Sequence, residues 1–416
     1  MQHRAYSYAS QDEFLEDVAR LKHAVPYSRD IAPLGESIDI GGKTVKNRLL
    51  AQPIEGFDSS GNGAPSDRSI ERYRNLANGG SGTIWMESIS VNGQGRSCSR
   101  QMWINGETVK AFQALNDVIR QNGAPFVVAQ LTHSGRYSNP DGKNLAICAV
   151  DNPMIPRENS HIITDDEIEQ LKTDYVNSAI LAQNAGFDAI DIRACHGYLL
   201  NELLSAYERP GMYGGGYENR TRLLKDIVRL VCEKVAIPVF VRLNVMDGLK
   251  YPYGWGTDMN DPLKQDISEP LKLAAELYAL GVCVLNVSSG IGAVTPFMIR
   301  PYDRGGVVPP EHPLQGVERL LNSARTIKAE VPGLLVVASG FTWLRDYAPM
   351  VAAGGIKDGW FDFAGFGRQW IADADYANEI LELGRIKKHC RTCGGCTALI
   401  KSGKEMRCVF ADIVSR

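Results

Sequence analysis

The chain has 416 residues, 44% hydrophobic and 22% charged, with 45 basic against 48 acidic side chains and a net charge of −3. This is the balance of a globular protein with a large buried core, and it lacks the basic excess that a nucleic-acid or anionic membrane partner would call for. No run approaches the roughly 20 apolar residues of a membrane helix, and the opening MQHRAYSYASQDEFLEDV is too polar for a signal peptide, so the expected setting is cytoplasmic, with reduced thiols.

In chain order, residues 1–32 form an N-terminal extension. It contains DEFLEDVARLKHAV, in which Phe14, Leu15, Val18 and Leu21 share one face of a short amphipathic helix. That face predicts a helix laid on the main domain, with an oligomer contact as the alternative. From about residue 48 eight apolar, β-branched runs follow. They are NRLLAQPIEG in the 48–57 region, TIWMESISV (83–91), PFVVAQLTHSG (125–135), DAIDIRAC (188–195), PVFVRLNV (238–245), VCVLNVSSG (282–290), LLVVASG (334–340) and FDFAGFG (361–367). Unbroken apolar runs suit strands buried on both faces of a parallel sheet. Between them, stretches such as DDEIEQLKTDYVNSAILAQNAG repeat apolar residues at three and four. Thr164 there predicts a helix N-cap and Gly186 a C-cap.

Eight β–α repeats predict an α/β fold, a (β/α)8 TIM barrel over residues 33–385. Its chemistry should sit at the C-terminal strand ends, where the sequence places Gln130, His133, Arg193, His196, Arg242 and Asn244. Long loops at 137–163, 246–267 and 291–313 would roof the same face.

The last segment, residues 386–416, holds Cys390, Cys393, Cys396 and Cys408, four of the nine cysteines, as C-x2-C-x2-C-x11-C. Reduced, clustered cysteines point to a metal. Four thiolates suit zinc, but three cysteines at i, i+3 and i+6 with a remote fourth read better as a [4Fe–4S] site. Gly394 and Gly395 would let the turn wrap a cluster face, and Lys387, Lys388, Arg391 and Lys401 would favour its negative charge. Cys98, Cys148, Cys195, Cys232 and Cys283 are expected to be unligated, with Cys195 a candidate to line a pocket.

The stretches NRLLAQPIEG, VVAQLTHSGR, AGFDAIDIRACHGYLLNELLS, YGGGYENRTR, VRLN and GFGRQWIADADY, in this order over roughly residues 33–380, resemble the old yellow enzyme family of FMN oxidoreductases. The C-terminal cysteines resemble its iron–sulfur branch, which includes 2,4-dienoyl-CoA reductase, enoate reductases and trimethylamine dehydrogenase. The resemblance implies two cofactors, FMN and a [4Fe–4S] cluster. It implies Gln130 on the flavin pyrimidine edge, Arg242 beside flavin N1, and Pro53 and Ile54 against the ring. Gly340, Phe341, Gly367 and Arg368 match the phosphate cradle after strands seven and eight. Tyr198 matches the family's proton donor, and Arg193 and His196 stand where the family holds the substrate carbonyl.

The implied activity is reduction of the C=C bond of an α,β-unsaturated carbonyl compound (an enoate, an enone such as a steroid, or an acyl-CoA). Hydride would come from the flavin and a proton from Tyr198. The chain departs from the family pattern at Arg193, where a histidine is usual. An arginine there implies an anionic or strongly polar acceptor group on the substrate, unless it is tied to a loop carboxylate. Val294 stands where dienoyl-CoA reductases carry a histidine, which argues against that substrate, and a cationic Arg193 would repel the amine of an amine dehydrogenase. Amine dehydrogenation or demethylation and a purely electron-transferring barrel remain the alternatives. Larger members of this branch continue into FAD- and NAD(P)H-binding domains, and no G-x-G-x-x-G follows a strand here. A separate electron donor is therefore expected (a flavoprotein, a ferredoxin or an NAD(P)H-binding subunit), with nicotinamide binding over the FMN as the alternative. No nucleic-acid or membrane partner is expected, and a homo-oligomer is possible.

Overall fold

A computed structural model describes residues 6–142, 146–305 and 308–410. The outer ends of the N-terminal extension and of the cysteine segment, residues 1–5 and 411–416, lie outside the described residues. The eight apolar runs form strands β1 (Leu49–Ala51), β2 (Thr83–Trp85), β3 (Phe126–Thr132), β4 (Ala189–Ala194), β5 (Val239–Asn244), β6 (Val282–Ser288), β7 (Leu335–Ala338) and β8 (Phe363–Phe366). Neighbours pair in parallel in the order β2, β1, β8, β7, β6, β5, β4, β3, and β3 pairs back onto β2. The sheet closes on itself, so its edge hydrogen bonds are satisfied. A helix follows each strand, from Asp67–Asn78 after β1 to Tyr376–Leu383 after β8. The fold is the expected TIM barrel.

Local chemistry sets the helix ends. The helix Asp165–Asn184 begins with a capping box: the Glu167 N–H donates to the Thr164 hydroxyl at 3.2 Å, and the Thr164 N–H donates to the Glu167 carboxylate at 2.7 Å. It ends where Gly186, at φ +84, turns the chain out in the left-handed region. The N-terminal helix Gln11–Arg20 is capped by Ser10 and buries Phe14 and Val18. The Phe14 ring stacks on Tyr347 at 4.6 Å, so this helix is laid on the barrel.

The barrel interior is layered. Its lower half is filled by Leu50, Trp85, Phe126, Val128, Ala189, Phe240, Val284, Val337 and Phe363. Ile40 and Val45 join them from an antiparallel hairpin, Ile38–Ile40 with Lys43–Val45, that plugs the floor. Each large apolar side chain buried this way contributes about 1.5–3 kcal/mol. With the floor packed, open space lies at the other end, over the C-terminal strand ends. Two of the predicted loops carry structure of their own: a parallel pair, Ala146–Cys148 with Ser160–Ile162, and a helical turn, Pro296–Ile299. No described helix is long and apolar enough to cross a membrane.

Candidate active site

Above the apolar floor the inward side chains turn polar. Arg193 on β4, Arg242 on β5 and Asn286 on β6 are cross-strand partners at one level of the barrel. Gln52 and Asn286 exchange two amide hydrogen bonds at 3.0 and 2.9 Å. Asp191, one step below Arg193, accepts from Gln130 Nε2 at 2.7 Å and from Trp85 Nε1 at 2.8 Å. Burial pushes its carboxyl up to about 6, against the pull of these bonds and of Arg242.

This layer floors a cavity of about 490 Å³, within the usual range for a ligand site. Pro53, Ile54, Arg193, His196, Tyr198, Arg242, Gly340, Gly367 and Arg368 all line it, as does Gln52. Two expected cofactor residues do not. Gln130 is buried, its amide engaged by Asp191 and by the Ser88 hydroxyl at 3.2 Å. Phe341 packs its ring against Phe361 and Phe366 in the outer core. Cys195 and His133 are also buried away from the cavity. His133 accepts the Gly135 N–H at 3.1 Å, and burial pulls its pKa down to about 4.

Arg193 has a partner that the sequence offered only as the alternative. Its Nη1 lies 3.0 Å from Glu55, a carboxylate on the loop after β1, and donates to the Ser88 hydroxyl. Its guanidinium carbon stands 3.6 Å from the centre of the Tyr198 ring, a cation–π contact. Glu55 is thus the loop carboxylate of the alternative reading and partly neutralises this cation, while Arg193 Nε is buried without a hydrogen-bond partner among the described residues. The Tyr198 phenol is pushed up to about 12 by burial, with Arg193 pulling the other way. It therefore stays protonated near neutral pH. His196 adopts a left-handed φ of +63, a costly conformation for a non-glycine residue. Its Nε2 lies 2.7 Å from the Ser288 hydroxyl. Burial and then Arg242, Arg193 and Arg300 hold its pKa well below the usual value, so the ring is neutral.

Arg242 and Arg368 are buried, and neither guanidinium has a carboxylate or hydrogen-bond partner among the described residues; Arg242 Nε is an orphan donor. A buried unpaired cation costs several kcal/mol, and an anion in the cavity would relieve both. Around Arg368 the backbone is bare. Gly340 has a φ of +103, and a Cβ on Gly365 would fall 2.2 Å from Gln52 Nε2. Unpaired guanidiniums and a glycine cradle fit the phosphate and the electron-rich ring edge of FMN.

The cysteine segment reaches the same cavity, which Cys396, Thr397, Ile400 and Lys401 line. It is tied to the end of β8 by Gln369, which accepts the Cys390 N–H at 2.9 Å and donates to the Lys388 carbonyl at 2.7 Å. The Gly395 N–H donates to Cys393 Sγ at 3.4 Å. Burial pushes the Cys390 thiol up; Arg368 lowers it, and Cys396 and Cys408 raise it further. The thiols thus lie within electrostatic reach of one another. They do not close a cage: among the described residues no group of three or more His, Cys, Asp or Glu side chains could hold a metal ion. Of the basic residues expected to face a cluster, Lys387 pairs with Glu379 at 3.2 Å and Arg391 stacks over Phe410.

Glu55, Ser88, Gln52 and Arg300 belong to this site and were not singled out from the sequence. The acidic residue two places after Pro53 was a legible signal, since a carboxylate at a strand end beside two arginines is a natural partner for one of them.

The sequence model of the NADH:flavin oxidoreductase / NADH oxidase family matches residues 33–271. An NADPH dehydrogenase of Geobacillus sp. (strain WCH70) is 33% identical over 270 residues, 63% of this chain and 74% of the relative. An NADH oxidase of Thermoanaerobacter brockii is 26% identical over 397 residues, 91% of this chain and 55% of the relative. Among solved structures, a complex of 2-naphthoyl-CoA reductase with 2-naphthoyl-CoA is similar with a TM-score of 0.76 at 23% identity, covering 91% of this chain and 57% of that one. An old yellow enzyme homologue from Zymomonas mobilis has a TM-score of 0.66 at 23% identity, covering 85% and 94%. The structural likenesses support the barrel, and this chain spans little more than half of the NADH oxidase and of the naphthoyl-CoA reductase. The family match and the unpaired guanidiniums of the cavity lead to one conclusion: the chain belongs to the NADH:flavin oxidoreductase / NADH oxidase family and is an FMN-dependent oxidoreductase.

Proposed function

We propose that the protein reduces the C=C bond of an α,β-unsaturated carbonyl compound. The observation that carries this reading is the Tyr198 phenol, held protonated over a cavity that Arg242 and Arg368 prepare for an anionic cofactor. FMN, when bound, supplies the hydride. Arg242 would hold the pyrimidine edge of the ring, and Arg368 with the bare backbone at Gly340 and Gly367 would hold the phosphate. Pro53 and Ile54 would pack against the ring. His196, neutral and fixed by Ser288, would donate to the substrate carbonyl oxygen. Arg193, anchored on Glu55, would fix the Tyr198 ring so that its O–H delivers a proton to the carbon beside the carbonyl. Gln130 would act from beneath, by holding Asp191 under Arg242.

Residues 33–385 are read as the FMN barrel and 386–416 as a [4Fe–4S] segment. The cysteine spacing supports the second assignment. Electrons would come from a separate donor protein or from a nicotinamide at the cavity.

The test is anaerobic purification with a visible spectrum and iron, sulfide and zinc analysis. Reduction and stepwise addition of cinnamate, a steroid enone and trimethylamine follow. Flavin bands that bleach on reduction and return with an alkene are expected, with about four irons per chain for the cluster assignment. Bleaching of the oxidised protein by trimethylamine, with no reoxidation by any alkene, would replace this reading by amine dehydrogenation. Zinc in place of iron would remove the cluster and leave the flavin chemistry standing.

A further inference from the structure

Charged side chains line the cavity unequally. Among the described residues, Arg193, Arg242, Arg300, Arg368 and Lys401 face it, against the single carboxylate of Glu55. Glu55 pairs with Arg193. On the reading above, Arg242 serves the flavin ring and Arg368 the phosphate. Arg300 is left with neither a hydrogen-bond nor an ion-pair partner among the described residues.

Its position is set by hydrogen bonds within the loop after β6. Arg300 ends the helical turn Pro296–Ile299, its N–H donating to the Pro296 carbonyl at 3.2 Å. At the start of that turn the Thr295 hydroxyl accepts the Ile291 N–H and donates to the Asp247 carbonyl, both at 2.8 Å. Ile291 bridges to the His196 backbone. The turn packs so tightly on the loop after β5 that a Cβ on Gly248 would meet Met298 Sδ at 2.4 Å. Arg300 is therefore presented into the cavity by a braced element that starts beside His196. Its charge depresses His196; burial and then Arg368 depress Arg300 itself, and Cys396, Tyr302 and Cys390 act on it in the opposite sense. It stands between the end that would take the substrate and the end that would take the phosphate.

We propose that Arg300 anchors a carboxylate carried by the unsaturated substrate, so that the site selects acidic alkenes over neutral ones. This rests on the ene-reductase reading. A guanidinium without a protein partner can pair with a carboxylate through two parallel N–H bonds, geometry that a lysine cannot reproduce. Repulsion from Arg368 strengthens the demand for an anion at this point. The sequence had assigned this role to Arg193, whose charge Glu55 partly neutralises, whereas Arg300 has no such carboxylate among the described residues.

The test compares the FMN-loaded protein with Arg300→Gln and Arg300→Lys. Three quantities are read: FMN bound per chain, the dissociation constant of benzoate followed through the flavin spectrum, and KM for cinnamate and for a neutral cyclic enone. The expected result is unchanged FMN content, with benzoate and cinnamate weakened roughly tenfold or more in Arg300→Gln, as for loss of a charged hydrogen bond. The enone KM should stay the same, and Arg300→Lys should recover part of the loss. Loss of FMN from Arg300→Gln would overturn the proposal and make Arg300 a second phosphate cation; equal weakening of enone and cinnamate would overturn it as well. If the unaltered protein turns over no alkene but Arg300→Gln still loses benzoate, the anion site stands and the ene-reductase reading falls.

Discussion

Arg193 lies 3.0 Å from Glu55 and 3.6 Å from the centre of the Tyr198 ring, so one cation joins a loop carboxylate to the phenol that faces the cavity. The side chains of Arg193 and Glu55 are 7% and 17% exposed. At that depth a broken pair leaves a poorly solvated charge behind, which is worse than having no pair at all. Glu55→Gln should therefore destabilise the fold by about 2 kcal/mol, below the fully buried range because the carboxylate keeps some solvent. Urea unfolding of Glu55→Gln, Arg193→Gln and the double variant checks this. A coupling above about 1 kcal/mol is expected, and simple additivity would show that the pair contributes nothing.

Tyr198→Phe keeps the ring that Arg193 stacks on and removes only the proton. Turnover of an alkene should fall roughly 10²- to 10⁴-fold, the usual worth of a positioned acid, while FMN content and melting temperature stay put. With the phenol pushed up to about 12, the rate of the unaltered protein should show no loss from tyrosine ionisation as pH rises from 6 to 9. A pH–rate profile under saturating substrate reads this directly.

Arg242→Met tests the cofactor end. Arg242 is buried with an orphan Nε, and a hydrogen bond from a charged donor contributes about 1.5–3 kcal/mol. FMN affinity should drop roughly 10- to 150-fold, measured by equilibrium dialysis of the apoprotein. The apoprotein itself should become more stable, because an unpaired buried cation has been removed. An unchanged FMN affinity would take Arg242 out of the cofactor site.

Asp191 should make stability depend on pH. Its folded pKa of about 6 lies above the ordinary aspartate value of 3.8, so the folded state holds the proton longer than the unfolded chain does. The stability this contributes is fully present below pH about 4 and is lost as pH rises through about 6. The difference amounts to about 3 kcal/mol. Asp191→Asn cannot titrate, and groups common to both proteins, such as Asp247, cancel. The stability of the unaltered protein relative to Asp191→Asn should fall by about that amount between pH 4 and pH 7, read from urea midpoints. A constant difference would mean that Asp191 is ionised throughout, held by Arg242.

The barrel was legible because its signals are local. Unbroken β-branched runs, helical apolar spacing, the Thr164 cap and the Gly186 turn each lie within a few residues of the structure they dictate, and eight repeats leave few alternatives. The strand-end positions of Arg193, His196 and Arg242 followed from the same register, and Tyr198 and Arg368 from the family resemblance. What those side chains do with their charge was not legible. Glu55 and Arg193 are 138 residues apart, and Gln130 and Asp191 are 61 apart. Nothing in either neighbourhood says that barrel closure will bring them into contact. The sequence by itself determined which residues arrive at the mouth of the barrel. Only the tertiary structure decided which arrive already paired, as Arg193 and Gln130 do, and which have no partner among the described residues, as with Arg242, Arg300 and Arg368. Periodicity is a property of a segment, whereas electrostatic partnership belongs to elements that meet only when the sheet closes.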